Sequence, residues 1–496
     1  MTARNASTAG SHRMSRVDHA WLRMDTEANL MMIVGVWLIA PRLTLAELTE
    51  RLRTALLAYP RFLQKVVEDA AGAMWVGDDA FDIAHHVRRE TLHRAPGAAA
   101  LEALKRRVAE LAIQPLDPAR PLWQFHLVED LGAGRSAMIV RIHHCIGDGI
   151  ALSSVVMSLA DGGKPPPERK ARAAADTHHD DVLSELLLKP LGGLATKALD
   201  LYGKGIGKAM DKGLEMMMQP GGPALGSLMG SMTGSMDAAR MGAQVLQDLA
   251  ALALMPDDSP TRLKGIATPG KRVAWGEPMP LDAVKAVGRA FGASINDVLL
   301  ASVAGAIGNY LRAKGDDPKG QEIRAMVPVN LRPLDQAWKL GNHFGLAPLV
   351  LPIGVAHPVE RLYAVRARMN ELKTSYQPLL AFLLLAASGF FIKPVQAAIT
   401  GLFAKKTTAV MTNVPGPKEP LHLCGRTVEQ MMFWVPQSRD IGMGVSILSY
   451  AGGVQFGLVT DAKMCPDPEA IIAGFAPEFE KLLWLALMAP WPALDK

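Results

Sequence analysis

The chain has 496 residues, 49% hydrophobic and 20% charged, with a formal net charge of +5 and a pI of about 9.0. This composition excludes a disordered chain and provides core for two or three domains of roughly 100–200 residues. The basic excess, 53 residues against 48 acidic ones, is too small and dispersed for nucleic acid but suits an anionic ligand or membrane surface.

Cys145, Cys424 and Cys465 are far apart, odd in number and without CxxC spacing. Neither a disulfide framework nor a zinc site is expected, and a reducing compartment fits. The opening "MTARNASTAGSHRMSRVDHAW" has no apolar signal core, so a cytoplasmic location is the expectation. In "VDHAWL", Asp18 is expected to cap a helix start.

In chain order, "MMIVGVWLIA" (Met31–Ala40) reads as a buried strand ending at a proline. Thr44 with Glu47 three residues on forms a capping box, and Pro60 stops that helix. "AALEALKRRVAELA" is a second amphipathic helix; "LWQFHLVED" and "SAMIVRIHH" are strands around a glycine turn. Helices alternate with strands, so the class is α/β or mixed α+β. From Asp161 to Leu263 a Pro- and charge-rich linker leads into a Gly- and Met-rich stretch. Loose packing helices are the simpler reading of that stretch; an adaptable apolar surface for lipid is the sharper one.

Beyond it, "PLDAVKAVGRAFGASINDVLLASVAGAIGNYL" reads as helix, break, helix, with Ser294 as N-cap and Asn296 and Asp297 in the first turn. "AMVPVNLRP" is a strand running into a turn, and "VSILSY", "AGG", "VQFGLVTD" form a hairpin. "PLLAFLLLAASGFFI" (Pro378–Ile392) is uncharged but shorter than the ~20 residues a spanning helix needs. A buried or channel-lining helix is expected there ahead of membrane contact.

The stretch "RIHHCIGDGI" (Arg141–Ile150) concentrates the chemistry. Strand alternation turns His143 and His144 to opposite faces. One faces a cleft while the other packs behind, which disfavours a metal held by both. A pairing of His144 with Asp148 lacks a third ligand, so no metal is expected. Gly149 permits a tight turn or a close backbone approach. Cys145 is a competing nucleophile, but alternation turns it away from His144.

His143, His144, Asp148 and Gly149 match the HHxxxDG motif of the CoA-dependent acyltransferase superfamily. With "MSRVDHAWLRM", "LDPARPLWQFHLVEDL", "SINDVLLA", "MVPVNLR", "GNHFG", "TNVPGP" and "SYAGGVQFGLVTD" in this order, the chain resembles the bacterial wax ester synthase/acyl-CoA:diacylglycerol acyltransferase family. These blocks run from Met14 to Asp461; residues Asp161 to Leu263 carry none.

The resemblance implies two chloramphenicol-acetyltransferase-like α/β domains with mixed sheets and an active-site tunnel at their interface. On that division residues 14–165 form the first domain, 166–263 a connector and 264–496 the second. It implies acyl-CoA as a substrate rather than a cofactor, and no cofactor besides. The acceptor is a fatty alcohol or diacylglycerol, and the reaction is direct transfer in a ternary complex. Peripheral contact with the inner membrane or lipid inclusions goes with such substrates.

His144 is implied as the general base, since a neutral imidazole accepts a proton at cellular pH. His143 is supporting, and Asp148 is structural, with Arg332 in "PVNLR" as its ion-pair partner. Asn296, at a helix N-terminus, is the candidate oxyanion donor. Asp297 and Arg332 are carried as substrate-binding candidates. So is Trp123 in "PLW", although a core position at a strand start is its simpler reading. The "NVPGP" loop is expected to be a rigid turn beside the access path. The alternatives are a related acyltransferase with another alcohol or amine acceptor, and a non-catalytic lipid-binding protein.

Overall fold

The computed structural model describes residues 11–69, 72–92, 100–163, 247–248, 251, 255–331, 340–373, 375, 377–388 and 393–488. Most of the Gly- and Met-rich connector lies outside the described residues, as do Arg332 and the end of the 378–392 stretch.

In the first half, strand β1 (His12–Arg13) precedes helix α1 (Arg16–Arg23), and β2 is Met32–Ala40. Then come α2 (Leu45–Arg51), β3 (Gln64–Asp69), β4 (Gly72–Gly77), β5 (Val87–Arg89) and α3 (Ala100–Ala112). Strands β6 (Trp123–Gly132) and β7 (Arg135–His143) lead to α4 (Gly149–Leu159).

The second half runs β8 (Lys271–Trp275), β9 (Met279–Pro280), α5 (Leu281–Phe291), α6 (Ile295–Ala313), β10 (Ile323–Asn330) and β11 (Phe344–Leu351). Helices α7 (Pro358–Lys373), α8 (Gln377–Ser388) and α9 (Lys393–Lys405) follow, then β12 (Ala409–Pro415), β13 (His422–Leu423) and β14 (Arg426–Trp434). Strands β15 (Met443–Tyr450) and β16 (Gly453–Asp461) and helix α10 (Pro468–Met488) complete it.

Both main sheets are mixed. The first has the order β13-β14-β2-β7-β6-β5, antiparallel except for the β5–β6 pair. The second has the order β11-β10-β12-β15-β16-β8, with β12 parallel to both β10 and β15. Strand β14 comes from late in the chain yet pairs with β2 in the first sheet, from Thr427–Ala40 to Trp434–Val34. It also lies against β15 and β16, so it joins the two sheets. A shared cluster of Val34, Val36, Trp434, Val273, Trp275 and Val459 fills the seam.

Local signals account for the element ends. The Thr44–Glu47 capping box is formed, but Pro60 begins a short 3₁₀ turn beyond α2 rather than ending it. The β15–β16 hairpin turns through Ala451 and Gly452, both at positive φ, which matches the right-handed strand twist. Ser294 caps α6, whose Leu300, Val303, Ile307 and Leu311 are buried; each such side chain contributes about 1.5–3 kcal/mol on burial. No single helix among the described residues is long and apolar enough to cross a membrane. Helix α8, from the uncharged stretch, turns Ala381, Phe382 and Leu385 into an internal cavity, as the channel-lining reading expects.

Candidate active site

Strand β7 carries the two histidines to its end. His143 pairs with Met32 across the sheet, and the His144 N–H donates to the Met31 carbonyl at 2.7 Å. The chain then turns, with the Ile146 N–H on the His143 carbonyl. Asp148 is the N-cap of α4: its Oδ1 accepts from the N–H groups of Ile150 and Ala151 at 3.1 and 2.9 Å. Its Oδ2 accepts from the His343 N–H at 2.9 Å. One carboxylate thus starts a helix of the first half and grips a segment of the second.

That segment crosses close to the histidine turn. Gly341 has a φ of +109°, a backbone conformation that favours glycine, and exchanges hydrogen bonds with Ile146 and Asp148. Next to it, Asn342 Nδ2 donates to the His144 carbonyl at 2.8 Å and to Asp18 Oδ1 at 2.7 Å. Asp18 is not the cap of α1. Ser15 is, and Asp18 sits in the first turn with its carboxylate turned to Asn342.

The two histidines differ as alternation requires. His143 Nδ1 accepts the Cys145 N–H at 3.2 Å, and Nε2 faces Asp25 Oδ1 at 3.3 Å. Acceptance at Nδ1 places the ring proton on Nε2. The His144 ring is stacked by Trp21, with Phe344 at 5.5 Å, and lines a cavity of about 310 Å³. Burial pushes its pKa down to about 4, partly opposed by Asp148, so the ring is neutral at cellular pH.

The cavity floor is the second sheet. Met326, Pro328 and Asn330 alternate along β10; Val410, Thr412 and Val414 alternate along β12; Phe344 and Leu346 come from β11. Trp21 of α1, Met24 just past its end, and α8 and α9 cover it. A second apolar cavity, about 370 Å³, lies between the face of the first sheet at Ile33, Trp37 and Val140 and helix α4 at Leu152 and Val156. Both cavities are lined by Gly149, Val414, Pro415, Phe433 and Val435. Gly149 opens α4, and a Cβ there would meet nothing within 4 Å. Its missing side chain is therefore open space at the junction.

Several sequence candidates are placed elsewhere. Trp123 is fully buried, donates Nε1–H to the Phe62 carbonyl and stacks on His86 at 4.4 Å; it lines neither cavity, so it is a core residue. Asp297 closes a capping box with Ser294, its Oδ2 accepting the Ser294 N–H, and lines neither cavity. Asn296 is exposed and outside both walls. Its Oδ1 accepts from Asn413 Nδ2 at 2.8 Å, and Asn413 is the residue that reaches the cavity. Cys145 packs in the core of the first half, away from both cavities. Of "NVPGP", expected as a rigid turn, Asn413 to Pro415 end β12 and Gly416 and Pro417 follow it, and Val414 to Pro417 wall the second cavity. Sequence reasoning gave no role to Trp21 or Asn342. Trp21 lay in a quoted family block but carried no motif, and Asn342 lies 198 residues from the carbonyl it holds.

Residues 14–299 match the wax ester synthase/diacylglycerol acyltransferase catalytic domain, and residues 340–483 match the WS/DGAT C-terminal domain. The protein named "probable diacylglycerol O-acyltransferase tgs1" of Mycobacterium tuberculosis is 28% identical over 446 residues, 88% of this chain and 87% of its own length. The tgs2 protein of the same species is 27% identical over 436 residues, covering 86% and 88%. The fold is similar to that of the wax ester synthase/diacylglycerol acyltransferase from Marinobacter aquaeolei VT8, with a TM-score of 0.63 and 21% identity over 96% of this chain and 99% of that one. The first condensation domain of the calcium-dependent antibiotic synthetase shares the fold at a TM-score of 0.55 and 16% identity, covering 97% of each chain. The chain belongs to the wax ester synthase/diacylglycerol acyltransferase family and is an acyltransferase.

Proposed function

We propose that the chain moves a long-chain acyl group from acyl-CoA to the hydroxyl of a fatty alcohol or diacylglycerol, in one ternary complex, with His144 as general base. The observation that carries this reading is a buried, neutral imidazole on the wall of an apolar cavity that meets a second apolar cavity at Gly149. Two apolar chambers beside one base suit two lipid-bearing substrates.

The acceptor hydroxyl gives its proton to His144 as its oxygen attacks the thioester carbonyl carbon. The carbonyl π pair moves to oxygen and a tetrahedral oxyanion forms. When the oxyanion collapses, the C–S bond breaks and the sulfur leaves as thiolate, which takes the proton from the imidazolium. General-base help of this kind is worth roughly 10²–10⁴ in rate. His143 sits behind, and Asp148 holds the turn that presents the base.

Release of CoA thiol from palmitoyl-CoA, measured with hexadecanol, dioleoylglycerol, short alcohols and amines, tests the reading. Release dependent on hexadecanol or dioleoylglycerol supports it. Release only with short alcohols or amines overturns the acceptor class, and release with none overturns catalysis.

A further inference from the structure

Helix α1 is more than 120 residues from the histidine turn, yet it reaches His144 by two routes. Trp21 lays its indole flat on the imidazole, with ring centroids 4.2 Å apart and planes 17° apart. Asp18, three residues earlier on the same helix face, accepts both the backbone N–H and Nδ2–H of Asn342, at 3.0 and 2.7 Å. The same Asn342 amide nitrogen donates to the His144 carbonyl.

This link is built from buried groups. Asp18 and Asn342 are 4% and 2% exposed. Burial pushes the Asp18 pKa up, opposed first by the Arg61 guanidinium, which rests on the Trp75 ring at 3.9 Å. A buried carboxylate is costly unless it is paired and hydrogen-bonded. Here that cost is met in a chain of contacts ending on the backbone of one histidine.

We propose that α1 is the positioning element of the base: Trp21 fixes the plane of the His144 ring, and the Asp18–Asn342 link fixes the backbone from which that ring projects. The proposal rests on the reading of His144 as general base. Displacing a catalytic group by about 1 Å costs on the order of a hundredfold in rate. Among the described residues, the charged groups that act on the ring are Asp148 and His143 on its own turn, while Asp18 on α1 holds Asn342 and the His343 backbone holds Asp148. Asp25 faces His143, and Arg61 faces Asp18. Trp21→Leu and Asn342→Ala leave all of these in place.

The test is the pH profile of kcat and kcat/KM for palmitoyl-CoA transfer to hexadecanol by the full chain. Trp21→Leu uncovers the ring to water, so kcat falls by about ten- to a hundredfold. The acid limb of kcat/KM moves up from about 4 toward 6.5. Trp21→Phe restores both, because an aromatic face is what the ring needs. Asn342→Ala lowers kcat while KM for palmitoyl-CoA holds. Wild-type kcat and an unmoved acid limb in Trp21→Leu, or failure of Trp21→Phe to restore either, overturns the proposal. Should Trp21→Leu not fold, Asn342→Ala decides: an unchanged kcat overturns it. If the wild type transfers nothing, or His144→Ala keeps wild-type rates, the base reading fails and takes the proposal with it. If His144→Ala is inactive while Trp21→Leu and Asn342→Ala keep wild-type kcat, only the positioning proposal falls.

Discussion

The Trp21 indole and the His144 imidazole lie face to face, 4.2 Å apart. The contact removes one face of the histidine from water, and burial holds its pKa at about 4, below the ordinary 6.5. Two consequences follow from the sign. A base works when neutral, so the acid limb of wild-type kcat/KM is expected near pH 4, with a plateau above. The unfolded chain binds this proton more tightly, so folding stability is fully present above pH 6.5 and is lost as pH falls toward 4, by roughly 3 kcal/mol. Rate measurements and denaturant melts across that window check both.

Gly149 marks the junction of the two cavities. A valine there meets no atom at its Cβ, so the cost to folding is expected to stay below about 1 kcal/mol. Its methyl groups would stand where the substrates meet, and kcat/KM for hexadecanol is expected to fall at least about tenfold, by the rate cost of misplaced reactants. A valine variant with unchanged kcat/KM would show that the junction is not the reaction path.

Asn413, not Asn296, is among the residues lining the cavity, and its Nδ2 donates to Asn296 Oδ1. One N–H of its Nδ2 is held by Asn296, and were the other to donate to the oxyanion, Asn413 would be the donor and Asn296 its support. Loss of such a donor costs about 10²–10³ in kcat. Asn413→Ala is expected to show that loss and Asn296→Ala a smaller one, since Asn296 only orients. Steady-state kcat of the two variants checks the order.

Outside the walls of both cavities, Arg361 and Glu478 form a fully buried ion pair. Glu478 Oε1 also accepts from Asn309 Nδ2 and from Lys481. Glu478→Ala leaves the guanidinium buried without its carboxylate, which is expected to cost about 3–5 kcal/mol. Urea melts would register this as a lower midpoint.

Local rules made much of the fold legible. The Thr44 capping box, the Ser294 N-cap, the alternation of β7 and the β15–β16 hairpin each depend on residues within a few positions of one another. Alternation likewise separated His143 from His144. Contacts between distant segments were not legible. Nothing near His422–Trp434 says that it completes the first sheet, because that pairing is chosen by β2, nearly 400 residues earlier. Asn296 and Asp297 illustrate the same limit: a helix N-terminus was correctly located, but neither residue lines the cavity, whose wall here comes from β12. Trp123 failed for another reason. A large aromatic at a strand start suits a core and a channel wall equally, and only His86 and Phe62 around it decide.

The central claim is that His144 takes the acceptor proton. Its most direct test is the single-turnover rate of CoA release from palmitoyl-CoA in the presence of hexadecanol, wild type against His144→Ala. The expected result is a fall of roughly 10²–10⁴ with the variant still folded. A variant rate within about tenfold of wild type, below the range for general-base help, would contradict the assignment.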